Sequence, residues 1–242
     1  MRRFTSNAEI ESLCEAMIRD FFGSRHNTSG LSVDIEDFVT KYLGIQIVYE
    51  SFAEPDPGRI GFLSDGVRAL WVWRDNWRTP VVFPADVMVI DQTLLDPKEN
   101  ARRRFTIAHE ASHHMLGRHI PIQADPAAAF HSEFNQDNTY SPEMLKDMMS
   151  INEYFTNRAA ACFLMPPFLV ERVLKRYNRG RQVILYENGI LSQDQKFLIQ
   201  RMARAMGASY TAFFHRLREL DLFEVRPVEE YIHDGLCYGG EQ

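Results

Sequence analysis

Cysteine is scarce in this 242-residue chain: Cys14, Cys162 and Cys237 are odd in number and far apart. That excludes a disulfide framework and suits free thiols in a reducing cytoplasm. Long hydrophobic runs are missing too. The longest nearly uncharged apolar stretch, Ala159 to Val170, has 12 residues and contains two prolines, well short of the roughly 20 that span a bilayer. The opening MRRFTSNAEIESL turns acidic and amphipathic where a secretory signal needs an apolar core, so the sequence predicts a cytoplasmic protein with no membrane association. Positive charge is not in excess: 27 Lys and Arg against 33 Asp and Glu give 27 − 33 = −6. A polycation that coats nucleic acid is excluded, and any such contact must be local. Repeats and low-complexity tracts are absent. What is present, 45% hydrophobic and 25% charged residues, is the composition of a folded globular chain.

Periodicity divides the chain into stretches. Ser6 and Glu9 form a capping box ahead of Ile10, Leu13, Cys14, Met17, Ile18, Phe21 and Phe22, which predicts a helix from Ser6 to Phe22 stopped by Gly23. A shorter helix is expected from Ile35 to Leu43, closed by Gly44. The period then changes: Ile45–Tyr49, Ile60–Leu63, Ala69–Trp73 and Val81–Ile90 are β-branched and aromatic runs between Pro and Gly turns, the pattern of a small sheet. Asp96 as N-cap and Pro97 at the first helical position open a long helix to about Leu116, with Gly117 beyond it. Residues Ile120 to Tyr140 mix Pro, Asp, Asn, Gln and Ser without periodicity and read as a surface loop or insertion. Ile151 to Met165 reads as a buried helix ended by Pro166 and Pro167, and the remainder as mostly helical.

The long helix carries His109-Glu110-Ala111-Ser112-His113, an H-E-x-x-H element. Residues four apart share a helix face, so both imidazoles can address one zinc ion while Glu110 flanks them. Zinc lowers the pKa of water to about 7, and a carboxylate beside it can move the proton in peptide hydrolysis. A catalytic site of this kind takes a third protein ligand. One candidate is His119, ten positions after His109, although Leu116 stands where the metzincin pattern needs glycine. The other is Glu153, four residues before Asn157, an amide able to accept a hydrogen bond from a ligand histidine. As stabilisers of a tetrahedral oxyanion, Tyr154, His114, His119, His131 and Tyr140 are all candidates.

Arg104-Phe105-Thr106-Ile107-Ala108-His109-Glu110, followed by Glu153-x-x-x-Asn157-Arg158-Ala159-Ala160-Ala161-Cys162-Phe163-Leu164-Met165-Pro166, resembles the ImmA/IrrE family of metallopeptidases. The likeness covers roughly residues 8 to 175 and includes Leu43-Gly44-Ile45-Gln46-Ile47-Val48-Tyr49. It departs from the family at Ala111-Ser112, where Leu-Gly is usual, at Thr156 for alanine and at Ala160 for phenylalanine. The 39 residues between His113 and Glu153 also exceed the family norm, pointing to an added loop over 120–150. The resemblance implies an α+β fold with a small zincin-like core: N-terminal helices, a small twisted sheet, the H-E-x-x-H helix and a second ligand-bearing helix. It implies one zinc per chain held by His109, His113 and Glu153, with Glu110 as general base and Asn157 supporting a ligand. It implies, further, an endopeptidase that cleaves a helix-turn-helix transcriptional repressor, relieving repression in a stress response or a mobile element.

The core is expected over 1–175 and a helical domain of helix-turn-helix outline over 176–242. Ser192 and Gln195 cap a helix to Met206, Gly207-Ala208-Ser209 turns the chain, and Tyr210 to Leu220 resumes helical spacing. Glu171 to Arg218 holds ten basic and three acidic residues, a local +7 that leaves −13 for the rest. This basic stretch is the basis of a minor alternative, a DNA-binding or adaptor protein with a structural metal.

Overall fold

Ser6 caps the first helix as the sequence predicts. Its backbone N–H donates to Glu9 Oε2 at 2.8 Å and its hydroxyl accepts from the Glu9 N–H at 3.2 Å, so the capping box opens helix α1, Asn7–Ser24. The computed structural model describes residues 6–24, 30–56, 58–119 and 151–231. The expected insertion at 120–150, with His131 and Tyr140, lies outside them.

After α1 comes one turn of helix, α2, Ile35–Asp37, capped by the Asp34 side chain and running into a π-helical turn, Phe38–Tyr42. Gly44, at φ 72°, ends it. Strands β1 (Gln46–Glu50), β2 (Gly61–Leu63), β3 (Ala69–Arg74), β4 (Trp77–Val82) and β5 (Val87–Asp91) follow. One sheet has the order β1-β5-β2, with β1 parallel and β2 antiparallel to β5. β3 and β4 form a separate antiparallel hairpin. The expected single strand Val81–Ile90 is two strands. Pro84 and Asp86, at φ 60°, break it, and each half pairs with a different partner.

Strand β5 is buried along its whole length, because it is central and covered on both faces. Val87 and Val89 pack with Phe62, Leu70 and Val72 of the hairpin side. Met88 and Ile90, equally buried, point the other way, toward helix α3, Asn100–His119. A 3-10 turn, Pro97–Glu99, with Asp96 accepting from the Lys98 N–H at 2.9 Å, leads into α3. The helix passes through Gly117 and ends at His119 instead of stopping near Leu116. Helix α4, Ile151–Leu164, lies against both α3 and α1. Phe163 on α4 meets the ring of Phe38 at 5.1 Å, closing the core beneath the π-helical turn.

The chain separates into two compact units, Met1–Pro166 and Pro167–Gln242. The division falls at the Pro166-Pro167 pair and not at residue 175, because the amphipathic helix that Pro167 opens, α5 (Pro167–Asn178), packs with α6 (Gln193–Met206). In this second unit Ser192 caps α6, Gly207 turns the chain at φ 66°, and Ser209 caps α7, Tyr210–Glu219. The segment is less uniformly helical than its sequence suggests: β6 (Val183–Tyr186) and β7 (Phe223–Arg226) form a short parallel pair. Among the described residues no helix is long and apolar enough to cross a membrane.

Candidate metal centre

Small residues bring α3 and α4 together. Ala108, Ala111 and Ser112 on α3 and Ala159 and Ala160 on α4 are fully buried, and short side chains at a helix crossing allow close approach. Ser112 returns its hydroxyl to the Ala108 carbonyl at 2.7 Å, so it enters this interface without an unmet polar group.

His109 and His113, one turn apart on α3, then face Glu153 at the start of α4. Their Nε2 atoms are 3.1 Å apart, and the Glu153 oxygens lie 3.5 Å from His109 Nε2 and 3.4 Å from His113 Nε2. All three ligand atoms fall within 4.8 Å of one another. Asn157, one turn beyond Glu153, places Oδ1 2.9 Å from His109 Nδ1. Thr156 Oγ1 stands 3.5 Å from His113 Nδ1. An amide oxygen only accepts, so Nδ1 of His109 carries the proton and its Nε2 lone pair faces the cluster.

The electrostatics suit a cation. Burial lowers His109 to about 4, opposed by Asn157, and burial with neighbouring His109 lowers His113 to about 3, so both imidazoles are neutral at pH 7. Glu153 is buried, which pushes its carboxyl up to about 7. Two neutral imidazole nitrogens and a desolvated carboxylate oxygen at this spacing form a His2Glu donor set that fits a zinc-like divalent ion.

Glu110 projects beside this cluster to the edge of the sheet. Ile60 and Ser64 bond toward β5, through Asp91 N–H to Ile60 C=O and Ser64 N–H to Val87 C=O. By alternation, Gly61 and Leu63 turn their backbone groups outward along the edge of β2 that no described strand pairs. The Leu63 N–H donates to the Glu110 carboxylate. Burial, reinforced by Glu153, pushes that carboxyl up to about 8 against the opposing pull of Leu63 and Arg59. Glycine at 61 lets Glu110 take this position: a Cβ there would sit 2.7 Å from Glu110 Oε1 and 2.7 Å from Thr106 Cγ2 and would force those side chains to shift.

His109, Glu110, His113, Glu153 and Asn157 are thus assembled, and three other candidates stand apart from them. The Tyr154 hydroxyl accepts from Asn7 Nδ2 at 2.9 Å, and buried His114 places Nδ1 3.2 Å from Asp86 Oδ1. His119 lies six positions, about 9 Å of helix rise, past His113 on the unbroken α3 backbone. Its side chain is outside the described residues. Sequence reasoning missed Gly61, Arg59 and the Leu63 amide, and read Thr156 only as a departure from the family pattern. Only Gly61 left a signal, as an isolated glycine in a strand-like run.

A sequence model of a peptidase family, described as the IrrE N-terminal-like domain, matches residues 40–218. Among solved structures the chain is similar to a Mycobacterium tuberculosis transcriptional regulator, at 17% identity and a TM-score of 0.45, over 87% of this chain and 46% of that one. The chain therefore spans about half the length of that regulator. No curated protein matches it.

Proposed function

The chain belongs to the IrrE N-terminal-like peptidase family, a family of metallopeptidases, and from that premise we propose that it is a zinc-dependent endopeptidase whose substrate is a helix-turn-helix transcriptional repressor. The observation that carries the reading is the convergence of His109, His113 and Glu153 within 4.8 Å, beside a carboxylate and an open strand edge.

His109 and His113 Nε2 and a Glu153 oxygen would hold the ion, which supplies Lewis-acid polarisation of the scissile carbonyl and a more acidic water. Asn157 and Thr156 keep the two imidazoles turned inward by engaging their Nδ1 atoms. An extended substrate can add to this edge of β2, unpaired among the described strands, through the Gly61 backbone groups and the Leu63 carbonyl, the Leu63 N–H being engaged by Glu110. Glu110, held at that edge by the Leu63 N–H, takes the proton of the attacking water on its carboxylate and delivers it to the departing amide nitrogen.

The test is cleavage of purified helix-turn-helix repressors by zinc-loaded protein. We expect a discrete cut that Glu110→Gln slows by about 10²–10⁴-fold without losing the metal. Metal-loaded wild type that cuts none of them, or a Glu110→Gln variant that cuts as well as wild type, would overturn the reading.

A second reading, DNA or adaptor binding with a structural metal, is favoured by one observation: Lys175, Arg176, Arg179, Arg181, Lys196, Arg201 and Arg204 are all exposed in the second unit. It requires duplex binding that weakens steeply with salt and survives Glu110→Gln. Binding that is absent or salt-independent removes it.

A further inference from the structure

All three tryptophans of the chain, Trp71, Trp73 and Trp77, lie on the β3–β4 hairpin. The register Ala69↔Val82, Trp71↔Pro80 and Trp73↔Arg78 places these six residues on one face of the ribbon. Leu70 and Val72 on the other face are fully buried. The outward face is open, with Trp71 36%, Trp73 49% and Val82 53% exposed. Contiguous apolar surface of this kind marks a contact site.

Two observations identify what covers it. The first is continuity with the candidate active site. Glu54 Oε1 accepts from the Trp71 N–H at 3.0 Å and pairs with Arg59 Nη1 at 3.0 Å. Arg59 in turn lies 5.0 Å over the ring of Phe62 on β2 and within electrostatic reach of Glu110. Arg78 stacks on Trp71 at 4.6 Å and donates to the Ala53 carbonyl at 2.7 Å, so the aromatic shelf is held in place. The second is the state of the ribbon's outer edge. Trp71 directs its N–H to Glu54 and its C=O to the Ala53 N–H, so its cross-strand partner Pro80 presents a backbone nitrogen without hydrogen to the outer edge. Strand addition by a second copy is blunted in that row, and the face remains open to side chains.

We propose that this face docks the polypeptide substrate, with Trp71 and Trp73 taking apolar side chains of an extended segment that continues past the cleft and so setting specificity. The inference rests on the peptidase reading.

The test uses the full chain and β-casein, an unfolded polypeptide, as probe. Because every tryptophan is on the hairpin, intrinsic emission reports docking directly. Titrating Glu110→Gln protein with β-casein shifts the emission to shorter wavelength. Trp71→Ser with Trp73→Ser weakens binding about tenfold or more, read by the anisotropy of fluorescently labelled β-casein because the remaining Trp77 pairs with Arg74 on the opposite face. In the cleaving protein the same pair raises KM for β-casein by that factor and leaves turnover of a short peptide confined to the cleft unchanged, with thermal unfolding as in wild type. The proposal is overturned if β-casein leaves the emission and the affinity unaltered, or if long and short substrates lose activity equally. It is also overturned if light scattering finds a wild-type dimer that the substitutions convert to monomer, since the face would then be a self-interface. Failure of the peptidase reading is a separate result, seen as no cleavage of β-casein, of the short peptide or of any helix-turn-helix repressor, and the binding titration still decides the docking.

Discussion

Gly61 and Asn157 are the residues at which the account of the site is most exposed to test. A methyl group at Gly61 meets first the Glu110 carboxylate and Thr106, the residues of its three nearest atoms, and not the three donor residues. Gly61→Ala is therefore expected to lower kcat/KM by about 10²-fold through displacement of the proton-moving group, while metal content stays at the wild-type level. Loss of metal in that variant would contradict the separation of the two roles. Asn157→Ala does the reverse. It removes the acceptor 2.9 Å from His109 Nδ1, and chelator competition should show metal affinity weakened about 10- to 100-fold. The two histidines and Glu110 were legible in the sequence because helical spacing alone puts them on one face. Glu153 with Asn157 was legible as one of two candidates, and only the resemblance favoured it over His119, since nothing in the intervening 39 residues fixes which helix packs on which.

Helices with explicit caps and stops were readable at the scale of the element: α1 from its capping box, α6 and α7 from Ser192, Gly207 and Ser209. The strands were harder to read. Runs such as Val183–Tyr186 and Phe223–Arg226 are four residues each, too short for a period to show, and they become strands only by pairing with each other across the intervening helices. The 81–90 run hid its turn because both halves are apolar. Helix α4 depends on its core side for placement, and with it the third ligand. Phe163, fully buried against Phe38, should cost about 3–5 kcal/mol of stability when cut to alanine, measured by urea unfolding. A change below about 1 kcal/mol would mean that α4 is held mainly by other contacts.

Over the whole molecule, the buried donor set makes stability depend on pH in a way that metal alters. In metal-free protein His109 and His113 are lowered from 6.5 to about 4 and about 3. The unfolded chain binds more protons there, and stability falls as pH drops from about 6.5 toward 3. Glu153 and Glu110 are raised from 4.5 to about 7 and about 8. The folded chain binds more protons in that range, and stability falls as pH rises from about 4.5 toward 8. The opposing slopes overlap between about 4.5 and 6.5, so the metal-free Tm should be flattest there and decline on both sides. A divalent ion that holds Glu153 ionised should flatten the alkaline decline and raise Tm. Identical pH profiles with and without zinc would place the metal elsewhere. The most direct test of the central claim is metal stoichiometry by mass spectrometry on wild-type, Glu153→Ala and His119→Ala protein purified without chelator. The account predicts close to one zinc per chain in wild type and His119→Ala and none in Glu153→Ala. Well-folded wild type that holds no metal even after zinc addition, or a site lost with His119 and kept without Glu153, would contradict it.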